Sequence, residues 1–561
     1  MSSPSENDAQ CHHLRGGSDG DTHEVFNQPD PLEDFNAYAG DQALQDAVHR
    51  EGGGDFEDRL EHYGAVVGGE LLEVGFQANE NPPKLKTYDR FGHRIDEVEF
   101  HPAYHRAMQL GVENGLTSLT WTDGAGSRVA RSALIYMHYQ TEAGTQCPLT
   151  MTHAAIPALR HQPEIAKTWE SLILSDTYDR RFIAPHKKEG LTIGMAMTEK
   201  QGGSDVRANT TRAYPIDQPG PGESYELVGH KWFCSAPMSD AFLTLAHTQK
   251  GLSCFLLPRW RPDETLNRFR IQRLKDKLGN HSNASSEVEY HGAWAQMIGE
   301  EGRGVPTIIA MVGETRLDCV IGSAALIRHA TAQAIQHCRG RKAFGKTLID
   351  QPLMKNVLAD LAVESEASVV LAMRLARAFE EGESDKTSAL FARIATAAAK
   401  YWVCKRAPMA VNEAQECLGG AGYVEESIMP RLYREAPLNA IWEGSGNVQC
   451  LDVLRAFSRS PETLDAFFAE LEVAKGADKN LDAAIFDLKE KLTNLEDIEF
   501  RARRIVEAMA LSLQGALLVQ SGNDAVADAF CASRLGRGCL MLGGLPSGLA
   551  IDEIVERAFP V

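Results

Sequence analysis

Apolar positions recur at helical spacing over residues 44–181, in segments such as 104–112 and 131–139 that Pro and Gly set apart. Near Gly190 the period changes. Short runs at 191–197, 225–228, 241–246, 254–257, 270–275 and 286–290 are rich in strand-forming residues and divided by Gly, Pro, Asn and Asp, which predicts a compact antiparallel sheet. After the turn Gly299-Glu-Glu-Gly-Arg-Gly304 the helical period returns over 305–339, 351–380 and 386–418 with few turn signals, as in a helical bundle. Beyond Ser460 a further helical block carries Ile505, Met509, Leu513 and Leu517 at every fourth position, a stripe suited to packing. The expected fold class is mainly α with a central antiparallel β domain. Its predicted divisions are a polar leader at 1–22, a helical domain at 23–189, a β domain at 190–300, a helical bundle at 301–460 and an extra helical domain at 461–561.

Composition narrows the classes of function. With 561 residues, 43% of them apolar, the chain can bury a large core, and its formal charge of −20 argues against a surface devoted to nucleic acid or anionic lipid. The polar start lacks the apolar centre of a signal peptide, and no apolar run is long enough to span a bilayer. None of the eleven cysteines falls in a C-x-x-C pair. The expectation is a cytoplasmic, reduced protein without a metal, in which Cys11, His12 and His13 belong to a disordered leader.

Several stretches could carry chemistry. Gly340-Arg-Lys-Ala-Phe-Gly-Lys-Thr347 matches the phosphate-loop string, but the preceding residues are helical and Pro352 follows, so the strand–loop–helix context is missing. Met197-Thr-Glu-Lys-Gln-Gly-Gly-Ser-Asp205 follows a strand and joins glycines to hydroxyls, a loop able to bring backbone N–H groups against a phosphate or a flat ring, or simply to edge a sheet. Lys231-Trp-Phe-Cys-Ser235 adds a tryptophan that could face such a ring or fill a core. Asn439-Ala-Ile-Trp-Glu-Gly-Ser-Gly-Asn447 sets Glu443 before a helix start, where a carboxylate alone reads as a cap.

Taken in order, Met197 to Asp205, Gly229-His-Lys-Trp-Phe233, Gly299 to Gly304, Arg341-x-x-Phe-Gly345, Gln415-x-x-x-Gly-Gly-x-Gly-Tyr423 and Trp442-Glu-Gly-Ser445 resemble the acyl-CoA dehydrogenase family. Further strings at 26–29, 81–83, 274–280 and 430–434 resemble an alkylation-response branch of it, over nearly the whole chain after residue 23. The resemblance implies FAD as cofactor, an acyl-CoA thioester as substrate, a homotetramer, and an electron-accepting flavoprotein as partner. It places Met197, Thr198, Gly203 and Ser204 along the flavin and its phosphates, with Trp232, Phe233 and Ser235 against the ring. Arg341, Phe344, Gln351, Gln415, Gly419 and Gly420 would hold the adenine dinucleotide part, partly from a neighbouring subunit. Trp442, Ser445 and Asn447 would close the site. Glu443 would be the base, with Ser204, Arg316 and Gly444 at the substrate.

Three departures bear on the substrate, the first being Trp442 in place of the family's usual tyrosine. Gly313 stands three residues before Arg316, where members of the family that bind acyl-CoA well carry an acid, and Lys200 follows Thr198-Glu199 where a proline is usual. The alternative function is DNA binding in alkylation-stress defence, which requires a basic footprint. Residues 461–561 hold ten Lys and Arg against seventeen Asp and Glu, and their one tight basic cluster is Arg501, Arg503 and Arg504. The acidic balance disfavours DNA there.

Overall fold

The computed structural model describes residues 23–536, 538 and 540–560. The leader with Cys11, His12 and His13 lies outside them. The first part is helical, as its period predicts, apart from one hairpin of β1 (Lys84–Tyr88) and β2 (Arg94–Glu99). Asp89 turns that hairpin by accepting the amides of Phe91 and His93, both at 2.8 Å. The local turn chemistry overrides the helical texture on either side. Helices α1 (Ser127–Thr141) and α2 (Gln146–Leu159) then run almost wholly buried towards the sheet and the bundle.

The sheet has seven strands: β3 (Ile193–Ala196), β4 (Arg212–Pro215), β5 (Ser224–Ser235), β6 (Ala241–Thr248), β7 (Gly251–Pro258), β8 (Phe269–Leu274) and β9 (Ser285–Ile298). The order β3-β6-β4-β5-β9-β7 closes on itself, because β7 also pairs with β6. Most pairings are antiparallel as expected, but β3 and β4 both run parallel to β6. Strands β6 and β7 are buried along nearly their whole length, since α2 packs on β3 beside them and the helix Gly304–Gly340 packs on β7. That double cover explains why they read as continuous apolar runs rather than as alternation.

Three long helices form the bundle: α3 (Gly304–Gly340), α4 (Pro352–Glu381) and α5 (Lys386–Cys417). On α3, a Cβ at Gly322 would lie 2.5 Å from the Tyr139 ring, so only glycine lets α1 and α3 approach this closely. Between α3 and α4, residues 342–347 form a two-residue-stranded hairpin with Phe344 and Gly345 left-handed at its tip. The phosphate-loop string therefore has neither the strand nor the cradle that its chemistry needs. Helix α6 (Gly446–Arg459) follows the 439–447 stretch, and the extension packs α7 (Ile498–Gln520) against α4, α5 and α6. Ile505, Met509, Leu513 and Leu517 all lie in its buried face. Partly buried ion pairs fasten the extension: Arg374 holds Glu470 at 2.9 and 2.8 Å, Arg534 meets Asp360 at 2.5 Å, and Arg557 meets Glu366 at 2.9 Å. Among the described residues no helix is long and apolar enough to cross a membrane.

Candidate active site

The 439–447 stretch is a turn whose carbonyls face into the bundle. Glu443 has φ +56° and Gly444 φ +99°, both left-handed, and a non-glycine residue holds that conformation only where its surroundings impose it. Side chains from three helices impose it here. Lys400 of α5, fully buried, donates from Nζ to Asn439 O at 2.9 Å, Trp442 O at 2.8 Å and Gly444 O at 2.9 Å. Arg316 of α3 donates from Nε to Glu443 O at 3.1 Å, and Gln449 of α6 donates to both Glu443 O and Gly444 O at 3.0 Å. Three helices thus pin every carbonyl from 442 to 444. Asn439 anchors the start: its Oδ1 accepts from Trp442 Nε1 at 2.9 Å and from Tyr139 OH at 3.1 Å.

The Glu443 side chain accepts a hydrogen bond from Thr315 Oγ1 at 2.8 Å. Burial pushes its carboxyl pKa above the usual 4.5, against the opposing pull of the Thr315 hydroxyl and the charges of Lys400 and Arg316. Arg316, expected beside the substrate, commits its guanidinium to the turn and to Asp452, which it meets at 2.8 Å.

The loop at 197–205 is held from beneath. Burial would raise the Glu199 carboxyl, but Lys231 at 2.9 Å, with the Thr211 hydroxyl and the Thr210 amide each at 2.6 Å, outweighs it and drives the pKa far below the carboxylate range. Glu199 is therefore a fixed ion-pair partner and no proton carrier. A Cβ at Gly203 would lie 2.4 Å from Thr198 Oγ1, so the loop folds over its own threonine only with glycine there. Ser204 is exposed beside it.

Trp232 and Phe233 sit at a bulge in β5, because Lys231 pairs with Val288 and Cys234 with Ser286, leaving one extra residue on the β5 side. The bulge turns Phe233 outward, 49% exposed, and leaves Trp232 half-buried, its amide bonded to Thr198 O at 2.8 Å. Lys275 Nζ stands 3.4 Å from the Trp232 ring centroid.

Met197 and Trp442 pack against one apolar cluster that contains Met151 and Met311. Cys147, in the same cluster, has its thiol pushed up to about 11 by burial, and Lys277, Ser235 and Glu443 all act on it. Loop, bulge and turn therefore meet around Cys147. Asn283 Oδ1 beside Cys147, and Asn209 Oδ1 on the side chain that donates to Met197 O, are both buried without a hydrogen-bond partner among the described residues and fit a ligand that carries N–H donors, as a flavin ring does.

The remaining expected residues form a second group at the other end of the bundle. Arg341 Nη1 donates to Asn27 O at 2.6 Å, Gln351 Nε2 to Ala343 O at 2.9 Å and Gln415 Nε2 to Gly422 O at 2.8 Å. Phe344 is 98% exposed, and Gly419 and Gly420 face open space. Along α3, Arg316 and the residue after the helix end are separated by roughly 37 Å at 1.5 Å per residue. One chain does not bring the two groups together.

Thr315, Lys400 and Gln449 were not expected at the site. Lys400 had a signal, a lone lysine in the apolar run Ala397-Ala-Ala-Lys-Tyr401, since a cation buried on a helix demands partners.

Comparison with known proteins matches this architecture. The adaptive response protein AidB N-terminal domain corresponds to residues 27–180, the acyl-CoA dehydrogenase middle domain to 194–293 and the acyl-CoA dehydrogenase C-terminal domain to 302–457. The chain belongs to the acyl-CoA dehydrogenase family. AidB of Escherichia coli (strain K12) is 47% identical over 91% of this chain and 94% of its own. Acyl-CoA dehydrogenase family member 11 of Caenorhabditis elegans is 32% identical over 89% of this chain and 82% of its own. Among solved structures, C. elegans ACDH-11 in complex with C11-CoA superposes with a TM-score of 0.83 at 28% identity, covering 98% of this chain and 94% of that one. The apo form of Bd2924 gives 0.82 at 30% identity, covering 89% and 100%.

Proposed function

We propose that this protein is an FAD-dependent acyl-CoA dehydrogenase that introduces an α,β double bond into an acyl thioester. FAD is its cofactor and, when bound, supplies flavin N5 as acceptor of the β-hydride. Glu443 takes the α-proton, and its pinned, left-handed turn is the observation that carries this reading. The α-proton leaves only if the growing charge on the thioester oxygen is met by donors. With the turn's carbonyls held inward, the Glu443 amide has no acceptor among the described residues and serves as one such donor. A raised carboxyl pKa makes Glu443 the stronger base. The C11-CoA held by the C. elegans relative supports an acyl-CoA substrate.

The adenine-side residues Arg341, Phe344, Gln351, Gln415, Gly419 and Gly420 serve the site of a second copy, because their distance along α3 from Arg316 exceeds an extended dinucleotide. A homotetramer supplies that copy. Met197, Thr198, Gly203, Ser204, Trp232, Phe233, Ser235, Trp442, Ser445 and Asn447 hold the flavin side, and Gly444 borders the substrate.

Anaerobic mixing of the FAD-loaded protein with acyl-CoAs of graded chain length is expected to bleach the visible flavin band with at least one of them. No bleaching by any thioester, together with steeply salt-dependent binding of duplex DNA, sinks the enzyme reading. A finer check lies at Thr315. Its hydroxyl favours the ionised form of Glu443, so Thr315→Val is expected to move the acid limb of the reduction-rate profile up by about one pH unit.

A further inference from the structure

The basic cluster of the acidic extension divides between two tasks. Arg501 is spent locally, its Nη2 donating to Asn494 O at 2.5 Å and Glu496 O at 2.8 Å, which closes the turn before α7. Arg503 instead reaches out of the extension. Its Nε donates to Asn447 Oδ1 at 2.8 Å, in the turn that carries Glu443. Lys405 of α5 closes on the same turn, since a Cβ at Gly446 would lie 2.6 Å from Lys405 Cε and 3.3 Å from its Nζ. The two cations share one neighbourhood: both pull down the thiol of Cys450, which burial lifts to about 11.

Neither cation has a carboxylate partner among the described residues, although Glu507 stands one turn beyond Arg503 on α7. In a chain of formal charge −20, two unpaired cations converging on one turn is a local reversal of sign. The Arg503 guanidinium is bonded only through Nε, so both of its Nη groups are free to donate together to the oxygens of a phosphate.

We propose that Arg503 and Lys405 bind the diphosphate of FAD, so that the C-terminal extension supplies part of the cofactor site. The proposal rests on the flavoprotein reading of the 439–447 turn and does not depend on the acyl-CoA reading. Residues 461–561 lie outside the matched acyl-CoA dehydrogenase domains, which end at 457. Arg503 therefore comes from a segment that those domains lack, while Lys405 lies within them.

The test compares FAD with riboflavin, which has the same ring and no phosphate. The full-length chain, stripped of flavin, is titrated with each by fluorescence quenching for the wild type, Arg503→Gln and Lys405→Gln. Each variant is expected to lose roughly 10- to 100-fold in FAD affinity, with riboflavin affinity and the melting temperature of the stripped protein unchanged, and the salt dependence of FAD binding made shallower. Equal losses for both flavins would assign these residues a packing role and overturn the proposal, as would unchanged FAD affinity. A protein that binds FAD through Arg503 yet is bleached by no thioester would leave the proposal standing and remove only the dehydrogenase reading.

Discussion

Glu443→Gln is expected to keep FAD and to lose its reduction by acyl thioesters, with the rate falling by roughly 10²- to 10⁴-fold, the contribution of a positioned general base. The substitution keeps the shape of the side chain and its contact with Thr315, so the turn stays pinned by Lys400, Arg316 and Gln449. What disappears is the basic oxygen. Rapid-mixing absorbance in the flavin band reads the rate directly, and an unchanged rate would mean that another group takes the proton. The wild-type rate carries its own signature. A base must be ionised to act, and burial raises this carboxyl, so reduction speeds up as pH rises through a value above 4.5. In Glu443→Gln that acid limb is expected to vanish with the rate.

Lys400→Met is expected to strike both stability and rate. Methionine matches the length of the lysine stem but donates nothing, so Asn439 O and Trp442 O lose their side-chain donor, while Gly444 O retains Gln449. At about 1–3 kcal/mol for each stranded buried carbonyl, the loss is roughly 2–6 kcal/mol. Without that anchor, the left-handed conformation at Glu443 loses one of the groups that impose it, and the carboxylate loses its aim. Calorimetry should show a lowered melting temperature for Lys400→Met and none for Glu443→Gln, while both are slow in reduction. A Lys400→Met protein with wild-type melting and wild-type rate would show that the turn holds its shape unaided.

The long helices of the bundle could be read from the chain because they are apolar on all sides and bounded by Gly and Pro. The expected 305–339 and 386–418 are found as Gly304–Gly340 and Lys386–Cys417. Strand β4 escaped notice, being four residues long with one buried side chain, as did the hairpin at 84–99, whose turn is set by a single aspartate. At the site, composition alone made Glu443 a cap, and only the order of motifs along the chain raised it to a base. The pinning of its turn was not legible, because Lys400 lies 39 to 44 residues from the carbonyls it meets and Arg316 lies 127 residues from Glu443 O. Nothing local in either sequence names the partner. The same holds for Arg503, 56 residues from Asn447, which in sequence belongs to an ordinary solvated helix face.

The ion pairs between α4 and the extension also set an order of assembly. Among the described residues Asp360 accepts only from the extension, from Arg534 and the amides of Gly543 and Gly544, and Glu366 is held by Arg557. These partners follow 174 to 191 residues later in the chain, a delay of roughly 10 to 40 s at a synthesis rate of about 5–20 residues per second. Through that interval both carboxylates keep water in place of these donors, and the apolar side chains of α4 that pack with Leu545, Ile554 and Val555 wait for their cover as well. The bundle is thus closed last by the extension, and a nascent chain that stalls before Arg534 leaves both the carboxylates and the apolar side chains of that face of α4 uncovered.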